Sequence, residues 1–75
     1  MMVSDEGSGI IWAKWSLNED GRIDVIATYT KPGGYDEREL SFESLNDAAR
    51  VLGESFREVV SRVTVAGYTA GRWRP

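Results

Sequence analysis

Apolar and polar residues alternate along two stretches of the chain. In the first, Ile11, Ala13, Trp15 and Leu17 fall on one face, and Ile10, Trp12, Lys14 and Ser16 on the other. In the second, Ile23, Val25, Ala27 and Tyr29 alternate with Arg22, Asp24, Ile26 and Thr28. A period of two, carried by β-branched and aromatic side chains, predicts strands. The link between them reads Asn18-Glu19-Asp20-Gly21-Arg22. A two-residue Asp20-Gly21 turn would set Leu17 opposite Asp24 and mix the faces. A three-residue loop, Glu19-Asp20-Gly21, pairs Leu17 with Ile23, Trp15 with Val25 and Ala13 with Ala27. Gly21 then takes the left-handed position that such a loop needs.

Leu40 and Phe42 alternate as a third strand. Setting Tyr29 opposite Leu40 and Ala27 opposite Phe42 keeps the apolar face whole. That register leaves Gly34-Tyr35 at the tip, glycine first, as a type II′ turn prefers. Lys31-Pro32-Gly33 would loosen this end.

The spacing then changes to threes and fours: Leu45, Ala48 with Ala49, Leu52, Phe56, Val59 with Val60, and Val63. This is the apolar stripe of a helix. Ser44, with Asp47 three residues on, is a capping-box variant. Asp47, Arg50, Glu54, Arg57, Glu58, Ser61 and Arg62 fall on the other side, with Arg50–Glu54 and Glu58–Arg62 four apart.

Gly53 interrupts this stripe and allows two readings. Leu45 to Thr64 has helix-turn-helix spacing, with alanine fifth (Ala49), glycine ninth (Gly53), and apolar residues at the fifteenth and nineteenth places (Val59, Val63). Ala48-Ala49-x-x-Leu52-Gly53, with Gly71-Arg72-Trp73, also loosely resembles the small DNA-binding repeats attached to homing endonucleases, over the last third of the chain. That resemblance implies nucleic-acid binding. Against it, such motifs want an apolar plug after the turn glycine and a small polar cap two residues later. Here those places hold Glu54 and Phe56, which would bury a charge and expose a ring. A continuous helix turns Glu54 out and Phe56 in, and an exposed Gly53 costs it only about 1 kcal/mol relative to alanine. The spacing therefore predicts one helix over 44–64.

The expected fold is α+β in a single domain. A three-stranded antiparallel meander over 10–42 carries one long amphipathic helix on one face. Residues 1–9 form a flexible lead-in, and 65–75 a strand or tail, with a short fourth strand near 65–69 and 70–75 on the surface. The expected core is Ile11, Ala13, Trp15, Leu17, Ile23, Val25, Ala27, Tyr29, Leu40 and Phe42 from the sheet. The helix adds Leu45, Ala49, Leu52, Phe56, Val59 and Val63.

Composition narrows the chemistry. A chain of 75 residues buries only roughly 60% of its unfolded surface, so its core is thin. It has no cysteine and no histidine. This removes disulfide staples, Ser-His and Cys-His nucleophile pairs, and nearly every zinc or haem site. Its acids cluster at turns, Gly33-Gly34 lacks the rest of a phosphate loop, and Asp20-Gly21 lacks a calcium-ligand series. No enzymatic activity, cofactor or metal is expected. No apolar run approaches the roughly 20 residues of a membrane span. The acidic N-terminal stretch does not read as a secretory signal, so a cytoplasmic protein is expected.

The net charge of −3 is unevenly spread: the first 47 residues hold ten acids and four bases, the rest two acids and five arginines. An acidic chain is a poor starting point for nucleic-acid binding, although a local basic face can suffice.

What is left is surface. The sheet's outer face should show Ile10, Trp12, Lys14, Ile26, Thr28 and Ser41. A tryptophan flanked by isoleucines there is a candidate patch for a protein partner or a second copy, unless the N-terminal arm or the tail folds over it. Tyr68, Arg72, Trp73 and Arg74 in the tail are a second candidate contact, against the alternative of a frayed end. The leading expectation is a small non-catalytic interaction protein. In size and composition alone it resembles phage or plasmid inhibitors of host enzymes, such as anti-CRISPR proteins. The alternative is DNA binding, with Arg57 and Arg62 on a recognition helix and Arg72 and Arg74 on phosphates. Some plant and integrase domains read DNA with a similar sheet, but they need a basic outer face. Here Lys14 and Arg22 would stand beside Asp24 and Glu39.

Overall fold

The computed structural model describes residues 9–75. The expected lead-in over 1–9 lies outside them but for Gly9. In chain order the elements are β1 (Ile10–Leu17), β2 (Ile23–Lys31), β3 (Gly34–Phe42), α1 (Leu45–Leu52), α2 (Glu54–Val65) and β4 (Ala70–Trp73). The strands form one antiparallel sheet in the order β3-β2-β1-β4, and both helices contribute buried residues to the core on one of its faces. The architecture is α+β. No described helix is long and apolar enough to cross a membrane.

The first hairpin has the expected register, with Leu17 on Ile23, Trp15 on Val25 and Ala13 on Ala27. Asn18 and Arg22 close its loop, the Asp20 carboxylate accepts from the Arg22 amide at 3.1 Å, and Gly21 takes φ 92°. At the start of β1 the register slips between Ile10 and Trp12, so that Ile10 pairs with Tyr29 and Trp12 with Thr28. Ile11 is the extra residue of a bulge. A bulge reverses the alternation that precedes it, so Ile10 enters the core and Ile11 lies beside Trp12, opposite to the expectation for both.

The second hairpin differs from the expected one. Its tip is Pro32-Gly33, with Lys31 paired to Gly34, Val25 to Leu40 and Ile23 to Phe42. Proline presets φ at the first central position, and Gly33 supplies the positive φ of 87° needed at the second. Both tips are two-residue turns, but here the Pro32-Gly33 pair meets the φ demands of its positions, and the pairing moves by four residues. Because four is even, Leu40 and Phe42 still face the core.

The long helix is two helices. Gly53 has φ 103° and ψ 171°, a conformation no helix contains. It ends α1, its N–H donating a hydrogen bond to the Ala49 carbonyl at 2.8 Å, and directly precedes α2. The two side chains that favoured a continuous rod behave as expected all the same. Phe56 is fully buried, and Glu54 is exposed in the first turn of α2, paired with Arg57 at 2.8 Å. Both geometries satisfy those two residues, so they did not discriminate. The break separates Arg50 from Glu54, and Arg50 pairs with Asp47 instead. Ser44 caps α1 by accepting from the Asp47 amide at 3.2 Å, as expected.

α2 ends in a Schellman turn, in which the Tyr68 amide bonds the Val63 carbonyl and the Gly67 amide bonds that of Thr64. Val65 is the last helical residue and is exposed, so the fourth strand is not at 65–69. It is Ala70–Trp73, in the segment expected on the surface, and it pairs with β1. Two aromatic residues fix it there. The indole of Trp73 is 3% exposed, meets the ring of Phe56 edge-on at 5.3 Å, and donates to the Ser55 hydroxyl at 3.1 Å. Gly71 lies opposite Trp15, whose indole occupies the space a side chain would take. The core thus gains Ile10, Ala48, Val60 and Trp73, while Leu17, Leu40, Phe42, Leu45, Val59 and Val63 pack at its margin.

Candidate functional site

The helices cover one face of the sheet, and no described element covers the outward residues of the other. Pairing places them in rows across the sheet: Trp12–Thr28–Glu37, then Arg72–Lys14–Ile26–Glu39, then Ala70–Ser16–Asp24–Ser41. Down the strands, the rows form columns of different character. The β4 and β1 columns carry Arg72 and Lys14, and Arg74 follows just beyond β4. The β3 column carries Glu37 and Glu39. Between them lie Trp12, Ile26 and Thr28.

Trp12 is the centre of the basic half. The Arg72 guanidinium lies 5.5 Å from its ring centroid and the Lys14 ammonium 5.9 Å. Each such contact is worth about 0.5–1 kcal/mol at an exposed site and holds the cation in place. Trp12, Arg72, Trp73 and Arg74 line a depression of about 240 Å³ that opens to solvent. On the other side of Trp12, a depression of about 490 Å³ is bounded by Ile11, Thr28, Tyr35 and Glu37. Ile26 is 40% exposed between the two halves.

One corner of the face is held by polar contacts. The Asn18 amide donates to Asp24 at 3.1 Å, the Ser41 hydroxyl donates to Asp24 at 3.0 Å, and Arg22 donates to Ser41 at 3.2 Å. The bonds from Asn18 and Ser41, with the nearby Arg22 charge, hold the Asp24 carboxyl below its ordinary value of 3.8, against a small desolvation effect.

Of the expected contact residues, Trp12, Lys14, Ile26, Arg72 and Arg74 come together on this face. Thr28 lies in the same surface but is itself buried. Ile10 and Trp73 are corrections: both are core residues, Ile10 because of the bulge and Trp73 because β4 turns its ring inward. Tyr68 stands exposed in the turn after α2 and is not among the residues lining the face. The sequence reading missed Tyr35 and Glu37. The signal was Pro32-Gly33, which as a turn would have aligned β3 correctly.

The face offers stacking, cation and carboxylate contacts. Among the described residues, no group of three or more acidic side chains is placed to hold a metal ion. No protein-family model matches the chain, and no curated protein or solved structure matches it.

Proposed function

We propose that this chain is a non-catalytic interaction protein that docks a protein partner through the open face of its sheet. The observation that carries this reading is Trp12, held between Lys14 and Arg72 on a face that no described element covers. Tryptophan and arginine are the commonest anchors of protein contacts, and a rigid sheet presents them with little ordering cost. A phage- or plasmid-type inhibitor of a host enzyme is the finer form of this reading, supported by size and composition alone.

DNA binding is less well supported. A helix-turn-helix needs a turn of roughly three to four residues, whereas α1 and α2 are separated by Gly53 alone. Arg57, one of the two expected base readers, is engaged with Glu54 at 2.8 Å and with Asn46 on α1 at 2.6 Å. β4 adds Arg72 and Arg74 to the sheet face, but Asp24, Glu37 and Glu39 stand on it too and oppose a polyanion.

The test is affinity capture from nuclease-treated cell lysate with the wild-type chain and with Trp12→Ala, after circular dichroism has matched their folds. A retained protein that Trp12→Ala loses supports the reading. Identical retention by both chains, or retention that disappears with the nucleic acid, removes it.

A further inference from the structure

The open face is complementary to itself, and we propose that its partner is a second copy of this chain in a face-to-face dimer. The inference rests on the docking role of this face and names its occupant. The rows of the sheet decide the geometry. A two-fold axis lying between two such sheets and running parallel to the strands sends each residue to its own row in the mirror-ordered column. β4 of one copy then lies over β3 of the other, and β1 over β2.

In the middle row this sets Arg72 over Glu39 of the second copy, and Lys14 over Ile26. In the row above, Trp12 lies over Thr28, and Arg74 just beyond β4 reaches Glu37. Two-fold symmetry doubles each contact. The Lys14 stem covers Ile26 while its ammonium stays wet. The charges also select the axis. Running it across the strands would place the acidic β3 column over the β3 column of the second copy, a like-charge arrangement that opposes association. Partners of a single sign fare worse than a second copy, because the face carries a basic and an acidic column side by side.

The expected strength follows from size. At about 4.8 Å between strands and about 3.3 Å per residue, β1 with 8 residues, β2 and β3 with 9 each and β4 with 4 present roughly 500 Å². Two copies bury roughly 1,000 Å², the lower limit of specific interfaces. The dimer is therefore weak and dependent on both concentration and salt.

The experiment is sedimentation velocity across a concentration series up to the millimolar range, at low salt. Wild-type mass should rise from the 8.4 kDa monomer towards twice that value. Trp15 and Trp73 are already buried, so a parallel change in tryptophan emission reports Trp12. Glu39→Arg and Arg72→Glu, each alone, should weaken self-association at least about tenfold. An equimolar mixture of the two variants should associate again, because every reversed charge then meets its opposite. The mixture also guards against misfolding, since unfolded variants would not restore one another. Arg50→Glu, on α1, should leave association unchanged.

A wild-type chain that stays monomeric, a mixture no more associated than its components, or equal weakening by Arg50→Glu overturns the dimer. If the chain is monomeric but Trp12→Ala still loses a captured protein, the dimer fails and the docking role stands. If Trp12→Ala changes neither association nor capture, both fail.

Discussion

Gly53→Ala is the substitution that isolates why the helical segment breaks. At φ 103° and ψ 171°, Gly53 occupies a region essentially closed to other L-residues, and forcing one there costs on the order of 1–3 kcal/mol. A Cβ at this position meets nothing within 4 Å, so the cost is backbone strain and not a clash. One effect opposes it. Alanine in a continuous helix gains about 1 kcal/mol over glycine, and the chain could take that gain by straightening. Straightening, however, swings α2, which carries the buried Phe56 and Val60. Exposing Phe56 alone forfeits about 1.5–3 kcal/mol, and its edge-on contact with Trp73 about 0.5–1.5 more. The break is therefore retained and the strain is not relieved. At about 4–8 °C per kcal/mol for a domain of this size, the midpoint of thermal unfolding should fall by roughly 5–20 °C. Circular dichroism melts measure this directly. A d-alanine placed at position 53 by chemical synthesis has the mirror-image map, accepts positive φ, and should recover the lost stability. If Gly53→Ala melts at or above the wild-type temperature with more helical signal, the continuous rod is accessible and this reasoning is wrong.

Two further outcomes test other parts of the structure. Gly71→Ala would place a Cβ 3.0 Å from Cζ2 and 3.2 Å from Cε2 of the buried Trp15 indole; overpacking of this kind costs about 1–3 kcal/mol, and urea unfolding that shows no loss would mean that Trp15 and β4 can separate freely. Asp24 should titrate below 3.8 by side-chain NMR, and Asn18→Ala should raise its midpoint. Because the folded value is depressed, the stability Asp24 contributes is present above its unfolded value of about 3.9 and is lost as pH falls through the lower folded value. A midpoint at or above 3.8 would contradict the contacts from Asn18 and Ser41.

Local periodicity made much of the sheet legible. Strict alternation in β1 and β2 left one register that kept Leu17, Trp15 and Ala13 over Ile23, Val25 and Ala27, and the chain adopts it. The errors arose where a pattern tolerates more than one geometry. An even shift preserves the faces of β3, so alternation could not tell a Gly34-Tyr35 tip from the Pro32-Gly33 turn that forms. A bulge at Ile11 leaves no trace in hydrophobicity, because Ile10, Ile11 and Trp12 are all apolar. Glu54 and Phe56 fit a broken helix as well as a straight one, so the decision fell to the backbone of Gly53. β4 was missed because its inward residues are Gly71 and Trp73, and a glycine carries no hydrophobic signal. Yet the alternation of Arg72, Trp73 and Arg74 was present, and it explains why two arginines assigned to a loose tail belong to the candidate face.

Where association can occur on this molecule depends on how the rest of its surface is guarded. Among the described residues, no strand lies beyond β3 or β4, and an open sheet edge is the usual route to strand-to-strand aggregation. On β3 that edge carries Asp36, Glu37, Arg38 and Glu39 in succession, and the Arg38 guanidinium folds back to 5.3 Å from the Tyr29 ring. On β4 the edge is only four residues long, with Arg72 within it and Arg74 beyond. Charge and shortness are the two commonest devices against edge pairing, and each edge uses at least one. The outer side of the helices carries the exposed Arg50, Glu54, Glu58 and Arg62. Val65 and Tyr68 are exposed at the end of α2, but they sit on a tight turn and not on a flat surface. Among the described residues, the sheet's open face is thus the one extended surface where a tryptophan, an isoleucine and paired charge columns occur together. Contact through it leaves the backbone ladder untouched, so association should change the side-chain signals of Trp12 and Ile26 without slowing amide exchange along β3 or β4. Protection appearing at either edge would instead mean that the charges of β3 and β4 fail to guard them, and that copies join by extending the sheet.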